Sequence, residues 1–249
     1  MKNDIAISVK NLSKSFRIPQ KKMDSLRTIF VNIFSRKIYK EFKALDSISF
    51  EVKKGEFLGI IGRNGSGKST LLKIIAGVYT ADCGEVYING RISPFLELGI
   101  GFNPQLTGRD NIYLNSTILG LSREDIDDKF DSIINFAEIE QFIDQQIKNY
   151  SSGMKSRLAF SVAIHSNRDI LLLDEVLAVG DIAFRNKCIE VFRYFKNNGR
   201  TMVLVTHGMD MAKEFCDRVL ILDQSKIINS GDPMQMITQY SHMFQPRKI

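Results

Sequence analysis

Short runs of consecutive apolar residues punctuate this chain, separated by longer stretches in which apolar positions recur every three or four residues. The runs at 57–61 (FLGII), 170–173 (ILLL), 201–205 (TMVLV) and 219–222 (VLIL) are too short for helices and read as strands covered on both faces. Residues 69–76, 109–119 and 123–136 carry apolar positions at helical spacing, and Ser122 is placed to cap the last of these. Residues 5–11 alternate in polarity, and 46–53 do so more clearly, with Ile48, Phe50 and Val52 on one face. Helical stretches alternating with short apolar strands predict an α/β fold with a mostly parallel sheet. No internal repeat or low-complexity tract interrupts it.

A further helical stripe lies between the two alternating segments. Met23, Leu26, Ile29, Phe30, Ile33 and Phe34 recur at steps of three and four, which predicts an amphipathic helix. Such a stripe packs either on its own domain or against a membrane surface or partner. Charge sharpens this picture. The chain of 249 residues holds 34 Lys and Arg against 28 Asp and Glu, a net +6. Residues 17–43 contribute Arg17, Lys21, Lys22, Arg27, Arg36, Lys37, Lys40 and Lys43 against Asp24 and Glu41, so this segment carries the whole excess and the rest of the chain is balanced. A basic patch of this kind suits anionic lipid headgroups or a pyrophosphate.

Composition excludes several classes. Hydrophobic residues make up 44% and charged residues 25% of the chain, as in ordinary globular proteins. No apolar run approaches the ~20 residues of a spanning helix. The opening MKNDIAISVK lacks the apolar core of a secretory signal, and Cys83, Cys188 and Cys216 are too few and scattered for a disulfide framework or metal site, so a reducing cytoplasm is expected.

The strongest chemical signal is Gly62-Arg63-Asn64-Gly65-Ser66-Gly67-Lys68-Ser69, an intact G-x-x-x-x-G-K-[ST] set between an expected strand and an expected helix. Glycines there let backbone N–H groups crowd around phosphates, the helix start adds its dipole, Lys68 reaches the β and γ oxygens, and Ser69 offers a hydroxyl to Mg²⁺. About a hundred residues later the strand at 170–173 runs into Asp174-Glu175, which can put one carboxylate in the Mg²⁺ shell and leave the next to polarise a water. Tyr150-Ser151-Ser152-Gly153-Met154 opens an expected helix, giving a second anion-binding end. His207 follows the strand at 201–205, where it can reach a γ-phosphate.

In this order the chain resembles the nucleotide-binding subunit of ABC transporters over nearly all its length: phosphate loop at 62–69, signature at 150–154, Walker B at 170–175, D-loop Asp181 and switch His207. The signature reads YSSGM instead of LSGGQ, with Ser152 replacing a glycine and Met154 a glutamine. The resemblance implies a P-loop NTPase of the ABC type, with a mostly parallel sheet core, an antiparallel β edge and a helical subdomain. It implies one ATPase domain over 1–249, with the basic insert at 17–43, the helical subdomain at about 95–165 and a short C-terminal helix at about 233–245. It also implies a head-to-tail homodimer in which each ATP lies between the phosphate loop of one copy and Ser151, Ser152 and Gly153 of the other. Glu175 is then the general base and His207 acts with it. Gly62, Asn64, Gly65, Ser66, Gly67, Lys68, Ser69, Thr70 and Asp181 contact the nucleotide, and Ser69 and Asp174 hold Mg²⁺. The Q-loop glutamine is missing from SPFLELGIGFNPQLTGRDN. Glu97 is assigned to its place and to the Mg²⁺ shell, with Gln105 as the alternative. Phe16 fits the spacing of the ring that stacks on adenine, with Phe42 as its substitute.

The insert, the SPFLELG run, the YSSGM signature and LAVGD after Walker B look like the ATPase subunits that export lipid-linked bacterial polysaccharides, of the O-antigen or teichoic acid type. The SPFLELG run favours O-antigen export, a part of lipopolysaccharide biosynthesis. Expected partners are two membrane-spanning permease subunits and, through them, the lipid-linked glycan. The expected location is peripheral, at the cytoplasmic face of the bacterial inner membrane, without nucleic acid. Other ABC exporters of drugs or lipids compete with this reading, and a soluble ABC ATPase acting on nucleic acid does so less well. Some such exporters carry a carbohydrate-binding domain after the ATPase, which a chain ending at Ile249 is expected to lack.

Overall fold

The structure is a computed structural model that describes residues 4–19, 39–95, 101–166, 168–174 and 181–244. The expected amphipathic helix over Met23 to Phe34, together with Glu97 and Glu175, lies outside the described residues.

Six strands form the central sheet in the order β5 (Ile92–Phe95), β6 (Ile170–Asp174), β7 (Thr201–Val205), β3 (Phe57–Ile61), β8 (Arg218–Asp223) and β9 (Lys226–Gly231). The neighbours are parallel except for β8 and β9. The short apolar runs behave as their composition requires, since alternate residues of one strand feed opposite layers. Phe57, Ile61, Leu171, Leu173, Met202, Leu204, Val219 and Ile221 face one side. Leu58, Ile60, Ile170, Leu172, Val203, Val205, Leu220 and Leu222 face the other.

The first face is closed by aromatic helices. Phe160 of α4 (Ser152–His165), Phe184 and Phe192 of α5 (Ile182–Asn197) and Phe215 of α6 (Met209–Phe215) pack there in edge-on pairs. α7 (Pro233–Phe244) adds Met236 to the same layer. The second face is closed by α1 (Lys68–Ile75) and by an antiparallel sheet of β1 (Ile5–Pro19), β2 (Tyr39–Lys53) and β4 (Cys83–Ile88) in the order β2-β1-β4. A separate apolar cluster joins α2 (Gly108–Ile118), α3 (Arg123–Ala137) and, through Leu158 and Val162, α4. Ser122 caps α3 as its sequence suggests, with its hydroxyl accepting from the Asp125 amide and the Asp125 carboxylate accepting in return.

One boundary differs from the sequence pattern. β1 continues to Pro19 and β2 begins at Tyr39, so both flanks of the basic segment are strands, with Phe16 opposite Phe42 and Arg17 opposite Glu41. The first five residues of β2 are exposed, which leaves no alternation of polarity to read. Ladder hydrogen bonds between paired backbones hold such strands without a buried face.

Candidate nucleotide site

The carboxyl ends of β3, β6 and β7 meet at one edge of the central sheet, and this shared edge gathers residues distant in sequence. β3 ends at Ile61 and runs straight into the loop at 62–69, which enters α1. Two glycines are fixed there by space. A Cβ on Gly62 would sit 2.0 Å from the Leu222 carbonyl oxygen, and one on Gly67 would sit 2.3 Å from that of Ala44. Gly67 also has φ +108, a backbone conformation that side chains disfavour.

The helix that follows has no side-chain cap and no acidic residue in its first turn, so its positive end faces the loop uncompensated. Beside it lies a cavity of about 240 Å³, lined by Asn64, Gly65, Gly67, Lys68, Ser69 and Thr70 of the loop and helix start, by Phe42 and Ala44 of β2, and by His207. The Lys68 ammonium is tethered inside the loop, donating to the Gly62 carbonyl at 2.9 Å and the Arg63 carbonyl at 3.0 Å. The Ser66 hydroxyl is buried without a hydrogen-bond partner among the described residues. An uncapped helix start and a buried lysine at one cavity, with an orphaned hydroxyl in the same loop, fit the phosphates of a nucleotide.

Asp174 ends β6 in register with Val205, the last residue of β7, and His207 follows two residues later. The Thr206 hydroxyl accepts from the Gly208 amide, turning the chain between β7 and α6. Asp174 and His207 therefore reach the loop's edge of the sheet from adjacent strands. Of the two candidate rings, Phe42 lines the cavity. Phe16 lies across the hairpin from it, with its ring edge-on to Tyr79 at 5.7 Å and Lys14 above it at 5.6 Å. Gln105 is exposed in the turn before α2, where its carbonyl accepts from the Gln146 side chain.

The helix start expected to bind a second anion is a separate construction. Ser151 caps α4, accepting from the Met154 amide at 3.1 Å, and Ser152 and Gly153 form the first turn, which also lacks acidic residues. Tyr150 anchors this end: its buried hydroxyl donates to the Phe142 carbonyl at 2.7 Å, and burial pushes its pKa up to about 12. Asp181 caps α5, accepting from the Phe184 amide at 2.9 Å. That hydrogen bond, with Arg157 beside it, holds the Asp181 carboxyl below the usual range. None of Ser151, Ser152, Gly153 and Asp181 lines the cavity at the phosphate loop.

Sequence reasoning did not single out Arg157. Its guanidinium donates to Glu138 and to Asp181, each at 2.6 Å, across 19 and 24 residues of chain. Only the fold brings those carboxylates together.

Known proteins resemble this chain in sequence and fold. The chain is 48% identical over 201 residues to an ABC transporter protein, AbcA, of Aeromonas salmonicida, which covers 81% of this chain and 65% of that one. It is 47% identical over 201 residues to the O-antigen export system ATP-binding protein RfbB of Klebsiella pneumoniae, covering 81% and 82%. It is 40% identical over 255 residues to the teichoic acids export ATP-binding protein TagH of Enterococcus faecalis, covering all of this chain and 56% of that one. Among solved structures, the ATP-binding cassette MJ0796, in a dimer bound to ADP and Pi, superposes with a TM-score of 0.72 at 24% identity, covering 91% of this chain and 98% of that one. A family model described as ABC transporter matches residues 45–178, a span that takes in the phosphate loop, the signature segment and Asp174. The chain thus belongs to the ABC transporter family, as one of its ATP-hydrolysing cassettes.

Proposed function

We propose that this cassette powers the export of a lipid-linked polysaccharide of the O-antigen type across the bacterial inner membrane. The observation that carries this reading is the 47% identity to an O-antigen export ATP-binding protein across four fifths of both chains. Two copies dock on two membrane-spanning subunits at the cytoplasmic face. No helix among the described residues is long and apolar enough to cross a membrane.

In this reading the loop amides and Lys68 bind the β- and γ-phosphates, and Gly62, Asn64, Gly65, Ser66, Gly67 and Thr70 shape the cradle. Mg²⁺ would be held by Ser69 and Asp174, with Glu97, and supplies charge neutralisation to the phosphate oxygens. Glu175 takes the proton of the attacking water, and His207 meets the γ-phosphate. Phe42 or Phe16 stacks on the base. Ser151, Ser152, Gly153 and Asp181 of one copy close over the nucleotide held by the other.

Glu175→Gln in the assembled complex should abolish steady-state ATP turnover, and normal turnover would rule out the assigned base. Deleting the gene should leave lipid-linked glycan inside the cell, and unchanged surface glycan would refute the export role. Teichoic acid export is the second reading, favoured by a match that spans the whole chain. The glycan trapped by the Glu175→Gln complex distinguishes the two.

A further inference from the structure

Arg157 sits on the second turn of α4, six residues beyond the Ser151 cap, or about 9 Å along the helix axis. Its side chain is only 18% exposed, and its guanidinium lies 5.1 Å from the centre of the Phe184 ring. One arm donates to the Glu138 carboxylate and the other to the Asp181 carboxylate, both at 2.6 Å. Glu138 caps α3 in the left-handed conformation, φ 56 and ψ 48, and also accepts from Lys187 of α5. Asp181 is committed at both oxygens, one to Arg157 and the other to the Phe184 amide at the start of α5. The two carboxylates and two cations balance in charge. A planar guanidinium can hold two carboxylates at fixed angles, which a flexible ammonium cannot.

This arrangement joins three elements at one side chain: the end of α3, the helix that begins at Ser151, and the residue that opens α5. Ser151 to Gly153 and Asp181 are the groups that the proposed function assigns to the nucleotide of the second copy. We propose that Arg157 is a positioning residue for ATP hydrolysis, locking the Ser151 helix end and Asp181 in one relation so that both close on the partner's nucleotide together. The inference rests on the shared-site reading above. It goes further in assigning the alignment of the two parts to a side chain that does not line the phosphate-loop cavity and is engaged with Glu138 and Asp181.

The test compares purified full-length wild type with Arg157→Ala, Arg157→Lys and Glu138→Gln, below their melting temperatures. Single-chain ATP affinity is measured at low protein concentration, and kcat is measured as protein concentration rises. Arg157→Ala should lower kcat at least about tenfold, as expected of misplaced groups, while ATP affinity changes less than about twofold. Arg157→Lys should recover part of that loss. Glu138→Gln should lower the melting temperature but keep kcat within about threefold, because Arg157 still holds Asp181. Wild-type kcat in Arg157→Ala, an equal loss in Glu138→Gln, or a fall in affinity that matches the fall in kcat would overturn the proposal. Should Arg157→Ala not fold, a cycle of Arg157→Lys with Asp181→Asn decides: non-additive losses in kcat support the lock and additive losses refute it. Wild-type turnover per chain that does not rise with protein concentration would remove the shared site itself, and this reads out separately from any variant.

Discussion

Tyr150→Phe removes a single oxygen from a crowded place. That hydroxyl donates to the Phe142 carbonyl at 2.7 Å, and the side chain is 4% exposed. Deleting it removes one of two donors to that carbonyl, which still accepts from the Gln145 amide at 2.9 Å, at a cost of about 0.5–1.5 kcal/mol. For a chain of this size, that predicts a melting temperature lower by about 1–6 °C. The same oxygen lies 2.1 Å from where a Cβ on Gly108 would stand, with the Ile143 carbonyl oxygen 3.0 Å away and the Tyr150 ring carbon that bears the hydroxyl 3.1 Å away. Gly108→Ala in the native protein must therefore displace the phenol from its hydrogen bond, costing roughly 1–3 kcal/mol against less than ~1 kcal/mol regained from helix propensity. In the Tyr150→Phe background the closest overlap is gone, so the alanine should cost less by about 1 kcal/mol or more. Urea unfolding of the four proteins, followed by circular dichroism, measures the coupling. If the two losses add within about 0.3–0.5 kcal/mol, the hydroxyl and Gly108 do not share the space described here. Because Ser151 follows Tyr150 directly, this packing also fixes where the helix start capped by Ser151 stands.

Gly67→Ala puts a side chain at φ +108 and 2.3 Å from the Ala44 carbonyl oxygen. The backbone strain alone costs about 1–3 kcal/mol, so both thermal stability and ATP binding by equilibrium dialysis should fall, and a wild-type melting curve would refute the fit. Burial pushes the Cys188 and Cys216 thiols up to about 12, whereas Cys83 is exposed, so native protein should react quickly with a thiol reagent at Cys83 and at the other two only on unfolding. The same shifts predict alkaline weakening. Above about pH 9 the unfolded chain loses thiol protons that the folded chain keeps, so each buried thiol lowers stability by about 1.4 kcal/mol per pH unit up to about pH 12, with no effect below pH 9. Urea midpoints should fall less steeply with pH in Cys188→Ala, and an unchanged slope would refute that assignment.

The parts of the site that could be read from sequence are those whose chemistry is contiguous. Residues 62–69 are one turn, and their glycines, lysine and serine must be neighbours to surround a phosphate. β3, β6, β7 and β8 were legible for a related reason: each is covered on both faces, so nearly every residue must be apolar, whereas β9 at the antiparallel edge is largely exposed and carries no such run. Contacts set by register were not legible. Phe16 and Phe42 both suit a stacking role by type, and the β1–β2 pairing brings Phe42 to the cavity while Phe16 lies across from it against Tyr79. The outer arms of that hairpin were also hidden, because exposed strands carry no alternation. Arg157 shows the limit most plainly. It lies on α4, whose sequence gives no sign that two carboxylates from other elements converge on one arginine, so its part in the site follows from tertiary geometry alone.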